Sequence, residues 1–395
     1  MPPGPGARSL EPLVLTEAHE DLRRGVREVC LRFPGEYWRD LDSGRRYPEE
    51  FVSAMTEEGY LGALIPEEYG GMGLDLSAGC AILEEINRSG ANAGPAHAQM
   101  YTMGTLLRHG SEEQKREYLP KIAKGDLRLQ AFAVTEPDAG TDTTSIRTTA
   151  TRRGDHYVLN GRKIYISRVE QSDLMILLSR TTPREEVEKR SGGLSVFLVD
   201  LREAEGLTLV PRRVMMNNAT GELVFERMRL PAENIIGEEG EGFRYIIDGM
   251  NAERILIAAE CVGDGRWFIE KATQRAGERE VFGRRIGENQ GIQFPIAKAY
   301  ANVEAASLMV EKAASLFDRR EPCGAEANLA KLLAADASWE AANVAVQTFG
   351  GYGFDAEYDV ERKFRETRLY QVAPISTNLI LSYVAEHVLG LPRSF

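Results

Sequence analysis

The stretch Ala131-Phe-Ala-Val-Thr135-Glu-Pro137-Asp-Ala-Gly140-Thr-Asp142 decides how the rest of the chain is read. Its first half is apolar with strand character, and the run stops at Pro137, which has no N–H to give to a ladder. A turn of small and polar residues follows. Such a turn leaves backbone N–H groups free, puts hydroxyls at Thr135 and Thr141, and has clearance at Gly140. Those parts can hold a planar, oxygen-rich ring and a phosphate. They are also the parts of an ordinary strand-to-loop corner, and composition alone leaves both readings open.

Working outward, the 395 residues exceed a usual single core, so two or three domains are expected. The chain is 43% hydrophobic and 27% charged, as an ordinary globular protein is. A net charge of -12 argues against a nucleic-acid partner but not against a phosphorylated ligand, which a few local cations can hold. Cys30, Cys80, Cys261 and Cys323 are scattered, as are His19, His97, His109, His156 and His387. No spacing among them suggests zinc, and dispersed thiols suit a reducing cytosol. Met1 to Gly6 reads as a disordered tail without a signal-peptide core, and no apolar run reaches membrane-span length. The expectation is a cytoplasmic protein that binds no metal and no membrane.

Residues 1–127 read as a helical domain. Leu22, Val26 and Val29 keep helical spacing, Pro48 opens a second segment, and Ser111-Glu-Glu-Gln114 is a capping-box pattern with Gly125 as its stop. Near residue 128 the period changes to short β-rich runs, giving a β-barrel-like middle domain over 128–238. Within it Arg153-Gly-Asp155, Asn160-Gly161 and Ser191-Gly-Gly193 are turn signals, with Asn160-Gly161 the strongest hairpin signal. The helical pattern returns over 239–395, with helices expected near 243–276, 291–318, 325–349 and 370–388. The fold class is therefore α+β and multidomain: helical, β-barrel-like, then a four-helix bundle.

Further motifs turn this outline into a resemblance. The opening string resembles the "A-x-x-x-T-E-P-x-A-G-S-D" signature of the acyl-CoA dehydrogenase family of flavoproteins. Ile65-Pro-Glu-Glu-Tyr-Gly-Gly-Met-Gly73 resembles that family's Gly-rich loop, and is read here as a structural turn. Lys163-Ile-Tyr165-Ile-Ser167-Arg168 resembles "K-x-W-I-T/S-N", with Tyr165 in place of Trp and Arg168 in place of Asn. Arg279-Glu-Val-Phe282-Gly with Gln290, and Gln347-Thr-Phe-Gly350-Gly351-Tyr-Gly, resemble the elements that hold the pyrophosphate and adenosine of FAD across a subunit boundary. The resemblance thus implies FAD held by Val134, Thr135, Gly140, Thr141, Tyr165, Ser167, Arg279, Phe282, Gln290, Gln347, Gly350, Gly351, Ser376 and Asn378. It also implies an acyl-CoA substrate, an electron-transferring flavoprotein as acceptor, a role in fatty-acid β-oxidation and a homotetramer built as a dimer of dimers.

The base is where this chain departs from the best-known members. They carry Glu in "I-Y-E-G-T" near the C-terminus, and the matching segment Leu369-Tyr-Gln-Val-Ala-Pro374-Ile-Ser-Thr-Asn378 has proline there. The branch resembling isovaleryl-CoA and long-chain acyl-CoA dehydrogenases takes its Glu from another helix, just before an Arg, and Glu253-Arg254 matches that pattern. Ile246, Met250, Glu253 and Ile257 share one helix face, so the carboxylate lies on an apolar stripe, where burial raises its pKa toward neutrality. The implied reaction is α,β-dehydrogenation to a trans-2-enoyl-CoA, with hydride passing to flavin N5. Pro374 has no N–H to polarise the thioester carbonyl, which leaves open whether Ile375 donates instead. Arg168 and the altered C-terminal segment keep two alternatives in view. One is a relative with changed chemistry (desulfinase, nitroalkane oxidase-like or monooxygenase); the other is a non-catalytic acyl-CoA-binding flavoprotein.

Overall fold

The computed structural model describes residues 19–393, so the Met1 to Gly6 tail lies outside the described residues. Six helices come first: α1 (Glu20–Leu31), α2 (Gly35–Gly44), α3 (Glu49–Glu57), α4 (Leu76–Arg88), α5 (Gly94–His109) and α6 (Glu112–Lys124). Local chemistry sets several of their ends. Ser111 and Gln114 form the expected capping box at the start of α6, and Gly125 stops it at φ +81°. Asp75 caps α4 by accepting from the Ala78 N–H. The Gly-rich loop is a turn in which a Cβ at Gly71 would stand 2.1 Å from the Ile65 carbonyl oxygen, so the backbone approach itself requires glycine.

Eight strands follow: β1 (Leu129–Ala133), β2 (Thr149–Arg153), β3 (His156–Ser167), β4 (Leu174–Arg180), β5 (Leu194–Asp200), β6 (Leu207–Pro211), β7 (Thr220–Pro231) and β8 (Ile235–Ile236). They make one sheet in the order β6-β7-β3-β2-β4-β5-β8, with β1 added parallel to β4. Every residue of β4 is buried, as expected for a strand covered on both faces.

The Asn160-Gly161 signal does not make a hairpin. It lies inside β3, where the register against β7 slips between Leu159 and Asn160. The pair forms a bulge: Asn160 Oδ1 accepts from the Arg227 N–H, and Gly161 packs against Thr148 where a Cβ would collide. The turn that reverses the chain is Arg153-Gly154-Asp155, with Gly154 at φ +65°.

The C-terminal part is built on α7 (Gly242–Glu278), α8 (Gln290–Asp318) and α9 (Gly324–Phe349). The helix expected over 370–388 is broken. In its place stand α10 (Val360–Thr367), a 3₁₀ turn at Arg368–Gln371, an irregular stretch through Pro374, and α11 (Thr377–Tyr383). Proline removes a helical N–H and disfavours helix at the residue before it, which explains the break at Ala373-Pro374. Helices from both ends of the chain share one core. Ile82, Leu83 and Ile86 of α4 pack with Ile255, Leu256 and Phe268 of α7 and with Ala334 and Ala341 of α9. The sheet has its own core around Tyr157, Leu177, Phe197 and Phe225. No helix among the described residues is long and apolar enough to cross a membrane.

Candidate active site

The opening turn is fastened from behind. Lys163 on β3 is fully buried and donates from Nζ to the Val134 carbonyl and to Glu136 Oε1, both at 2.9 Å. Burial pulls the Lys163 ammonium down to about 8, against the attraction of Glu136. Glu136 also accepts from the N–H groups of Arg147 (2.7 Å) and Thr148 (2.9 Å). The Glu136 and Ala139 backbones bond each other, and the Ile164 N–H donates to the Thr135 carbonyl. With its inner side committed, the turn presents Thr135, Gly140 and Thr141 outward. A Cβ at Gly140 would meet nothing within 4 Å. Tyr165 lies beside them on β3, 62% exposed, with its backbone at φ +60°. A large aromatic held that way shows a bare face toward whatever docks there. Ser167 Oγ accepts from Asn218 Nδ2 (2.9 Å) and lies 3.2 Å from Thr220 Oγ1.

Glu253 lies on α7, 7% exposed, on a face with buried Ile246 and Ile257. No described residue donates a hydrogen bond to its carboxylate or forms an ion pair with it, yet its oxygens are not sealed from solvent. Burial pushes the carboxyl up to about 7, with His97 and Arg254 opposing the rise. Arg254 does not pair with Glu253; its Nη1 donates to Asn251 Oδ1 one turn back, at 3.1 Å.

A buried network that sequence reasoning missed lies beside the base. Glu260 follows Glu253 by two turns of α7, and its Oε1 lies 2.6 Å from His97 Nδ1 of α5. The Tyr370 hydroxyl donates to Glu260 Oε2 (3.0 Å), and Asn87 Nδ2 of α4 reaches both the Tyr370 hydroxyl and the Glu260 carbonyl. His97 packs edge-on against Tyr101, which packs edge-on against Phe132 of β1, with centroids 5.1 and 5.3 Å apart. Three helices and the C-terminal segment are thereby locked against the strand that leads into the Thr135 turn. The available signal was a second carboxylate seven residues after Glu253, on the same helix face.

The other expected residues fall into two places. Arg279, Gln347, Gly350 and Gly351 line one open cleft of about 570 Å³ with Tyr352 and Asp355. The Arg279 guanidinium lies 6.0 Å from the Tyr352 ring centre and has no carboxylate partner among the described residues. Gly350 has φ +63° and ψ −133°, and a Cβ on Gly350 or Gly351 would meet nothing. Phe282, fully exposed, and Gln290, the first residue of α8, do not line this cleft. Nor does any residue of the Thr135 turn or Glu253, so the fold does not bring the two expected cofactor sets into one cleft. At the C-terminal segment, buried Lys331 donates from Nζ to the Ile375 carbonyl (2.9 Å), and Ser376 caps α11 by accepting from the Leu379 N–H. Asn378 is exposed. The Ile375 N–H has no acceptor among the described residues.

Family models cover most of the chain: acyl-CoA dehydrogenase N-terminal domain at residues 16–126, middle domain at 131–228 and C-terminal domain at 240–389. Acyl-CoA dehydrogenase FadE12 of Mycobacterium tuberculosis is 34% identical over 387 residues, covering 96% of this chain and 98% of the relative. Cyclohex-1-ene-1-carbonyl-CoA dehydrogenase of Syntrophus aciditrophicus is 35% identical over 383 residues, covering 96% and 91%. A solved structure of glutaryl-coenzyme A dehydrogenase with glutaryl-CoA superposes with a TM-score of 0.90 at 32% identity, covering 97% of this chain and 98% of that one.

Proposed function

The chain belongs to the acyl-CoA dehydrogenase family of FAD-containing oxidoreductases, and from that premise we propose that it dehydrogenates an acyl-CoA thioester across Cα–Cβ with Glu253 as the base. The placement of Glu253 carries the reading. A carboxyl held at about 7 is part ionised at neutral pH, and with no partner of its own it is free to take an α-proton.

The residues present fit FAD. The exposed Tyr165 face with Thr135 beside it, under a turn with clearance at Gly140, suits the isoalloxazine end, with Val134, Thr141 and Ser167 completing the wall. The open glycine backbone at Gly350 and Gly351 and the unpaired Arg279 suit a pyrophosphate, with Gln347 in the same cleft, while Phe282 and Gln290 lie outside it. Because the two sets do not share a cleft, the second serves a neighbouring subunit's cofactor, consistent with a homotetramer. Ser376 and Asn378 belong with the C-terminal edge of the site. FAD, when bound, supplies the hydride acceptor for the substrate β-carbon.

The chain's own residues do the rest. Glu253 takes the α-proton. The Ile375 N–H replaces the donor that Pro374 cannot supply to the thioester carbonyl, and Lys331 anchors the same residue through its carbonyl, in the following peptide. The Lys163–Glu136 pair keeps the Thr135 turn rigid. An electron-transferring flavoprotein would take the electrons onward, which would place the reaction in cytoplasmic β-oxidation.

The test is anaerobic mixing of the purified flavoprotein with a panel of acyl-CoAs, followed by flavin absorbance. Bleaching is expected with the wild type and lost in Glu253→Gln with FAD still bound. No bleaching at any chain length, or full bleaching in the variant, would remove the assignment.

A further inference from the structure

The proposed reaction leaves Arg168 unused. It follows Ser167 on the strand that carries the Tyr165 wall, and its backbone sits at φ +61°, with the N–H donating to the Ala219 carbonyl. The residue is only 9% exposed. A guanidinium has five N–H donors, and here Nη2 donates to Asn218 Oδ1 at 2.7 Å. The other nitrogens have no partner among the described residues and are not sealed in protein. Arg168 lines a cavity of about 30 Å³ together with Tyr47, Asn92, Pro95 and Asn218.

That cation lacks a carboxylate of its own. Asp42 and Glu366 border the cavity, but Asp42 is held by Arg365, and Glu366 by Arg362 and Lys363. Arg46, the other cation there, pairs with Asp40. Glu260, within electrostatic range, is engaged by His97 and Tyr370. The position makes matters worse for an unpaired charge. Arg168 Nη2 comes so near Gly94, the first residue of α5, that a Cβ there would stand 2.3 Å away. The guanidinium therefore sits at the positive end of a 16-residue helix. A buried cation in such a place is costly unless an anion joins it.

The cavity adjoins the start of α5 at Pro95, and Tyr101 farther along that helix packs against Phe132 of the strand that leads into the Thr135 turn. Tyr101 of α5 is within electrostatic range of both Glu253 and Arg168. A space of this size takes about two waters or the few atoms of one carboxylate. We propose that Arg168 closes the far end of the acyl pocket and selects acyl-CoAs whose acyl group ends in a carboxylate. This rests on the acyl-CoA reading above and names the substrate class within it.

The test compares ligands of matched length on the FAD-loaded Glu253→Gln protein, which binds without turnover. Succinyl-, glutaryl-, adipyl- and suberyl-CoA are titrated calorimetrically against butyryl-, valeryl-, hexanoyl- and octanoyl-CoA. At the best length the carboxylate-ended ligand is expected to bind about 10-fold tighter or more, as a charge-assisted hydrogen bond in a buried site gives. Adding Arg168→Met should erase that preference with little change for methyl-ended ligands, while Arg168→Lys keeps part of it. Equal or tighter binding of the methyl-ended ligands with Arg168 intact overturns the inference, whether or not the Met variant folds. In that case the acyl-CoA reading stands. If no acyl-CoA of either kind binds, it is the acyl-CoA reading that fails, and this inference with it.

Discussion

Replacing Glu253 by Gln should stabilise the fold at alkaline pH while removing the base. In the unfolded chain the carboxyl has its ordinary value of 4.5; in the fold, burial raises it to about 7. Below 4.5 both states are protonated and the burial of a charge costs nothing. As pH rises through about 7 the folded carboxyl must ionise in a buried place, and the stability present at low pH is lost. The difference between 4.5 and about 7, at ~1.4 kcal/mol per pH unit, amounts to roughly 3 kcal/mol at pH 8 and under about 1 kcal/mol at pH 5. Glutamine is nearly isosteric and has no charge, so the variant escapes this cost. Urea unfolding of both holoproteins, at one fixed protomer concentration, should show the variant's advantage growing by about 2 kcal/mol between pH 5 and pH 8. The wild-type kcat/KM for acyl-CoA should rise over the same interval and level off above about pH 7. A stability difference that does not move with pH would refute the reasoning, because it would mean that the carboxylate is solvated or paired in the fold.

Glu136→Gln should cost about 3–5 kcal/mol, since it strands the fully buried Lys163, and adding Lys163→Met should recover much of the loss; urea unfolding and flavin content check both. Lys331→Met removes the donor to the Ile375 carbonyl and should lower kcat by about 10-fold, through a displaced N–H rather than lost folding, which stopped-flow reduction together with thermal melting separates. Gly350→Ala meets no steric obstacle but forces a side chain into φ +63°, ψ −133°, at a cost of about 1–3 kcal/mol, and should appear as weakened FAD retention on dilution.

Much of the fold was legible before any coordinates. Three-and-four spacing marked α1, α3 and the long C-terminal helices, and the capping box and Gly125 marked both ends of α6, because those signals act within a turn or two of one another. The family strings pointed to a flavin wall and to Glu253 as candidates, and the structure shows Glu253 buried on an apolar face of α7. Local reading failed where a neighbour in space changed the outcome. Asn160-Gly161 makes a tight turn only if the chain is free to reverse, and β7 instead holds both sides of it in one strand.

What tertiary structure alone decided is how the charges are matched. Lys163 and Glu136 are 27 residues apart, and Tyr370 and Glu260 are 110. No periodicity links such pairs, because their meeting depends on how strands and helices pack. The same holds for Arg168, which in sequence is only a departure from a motif. Whether a buried charge is stabilised, left free for chemistry or left waiting for a ligand is set by which oppositely charged group the packing brings within reach. For Lys163 that group is Glu136. For Glu253 and Arg168 no described residue forms an ion pair, though opposite charges stand farther off.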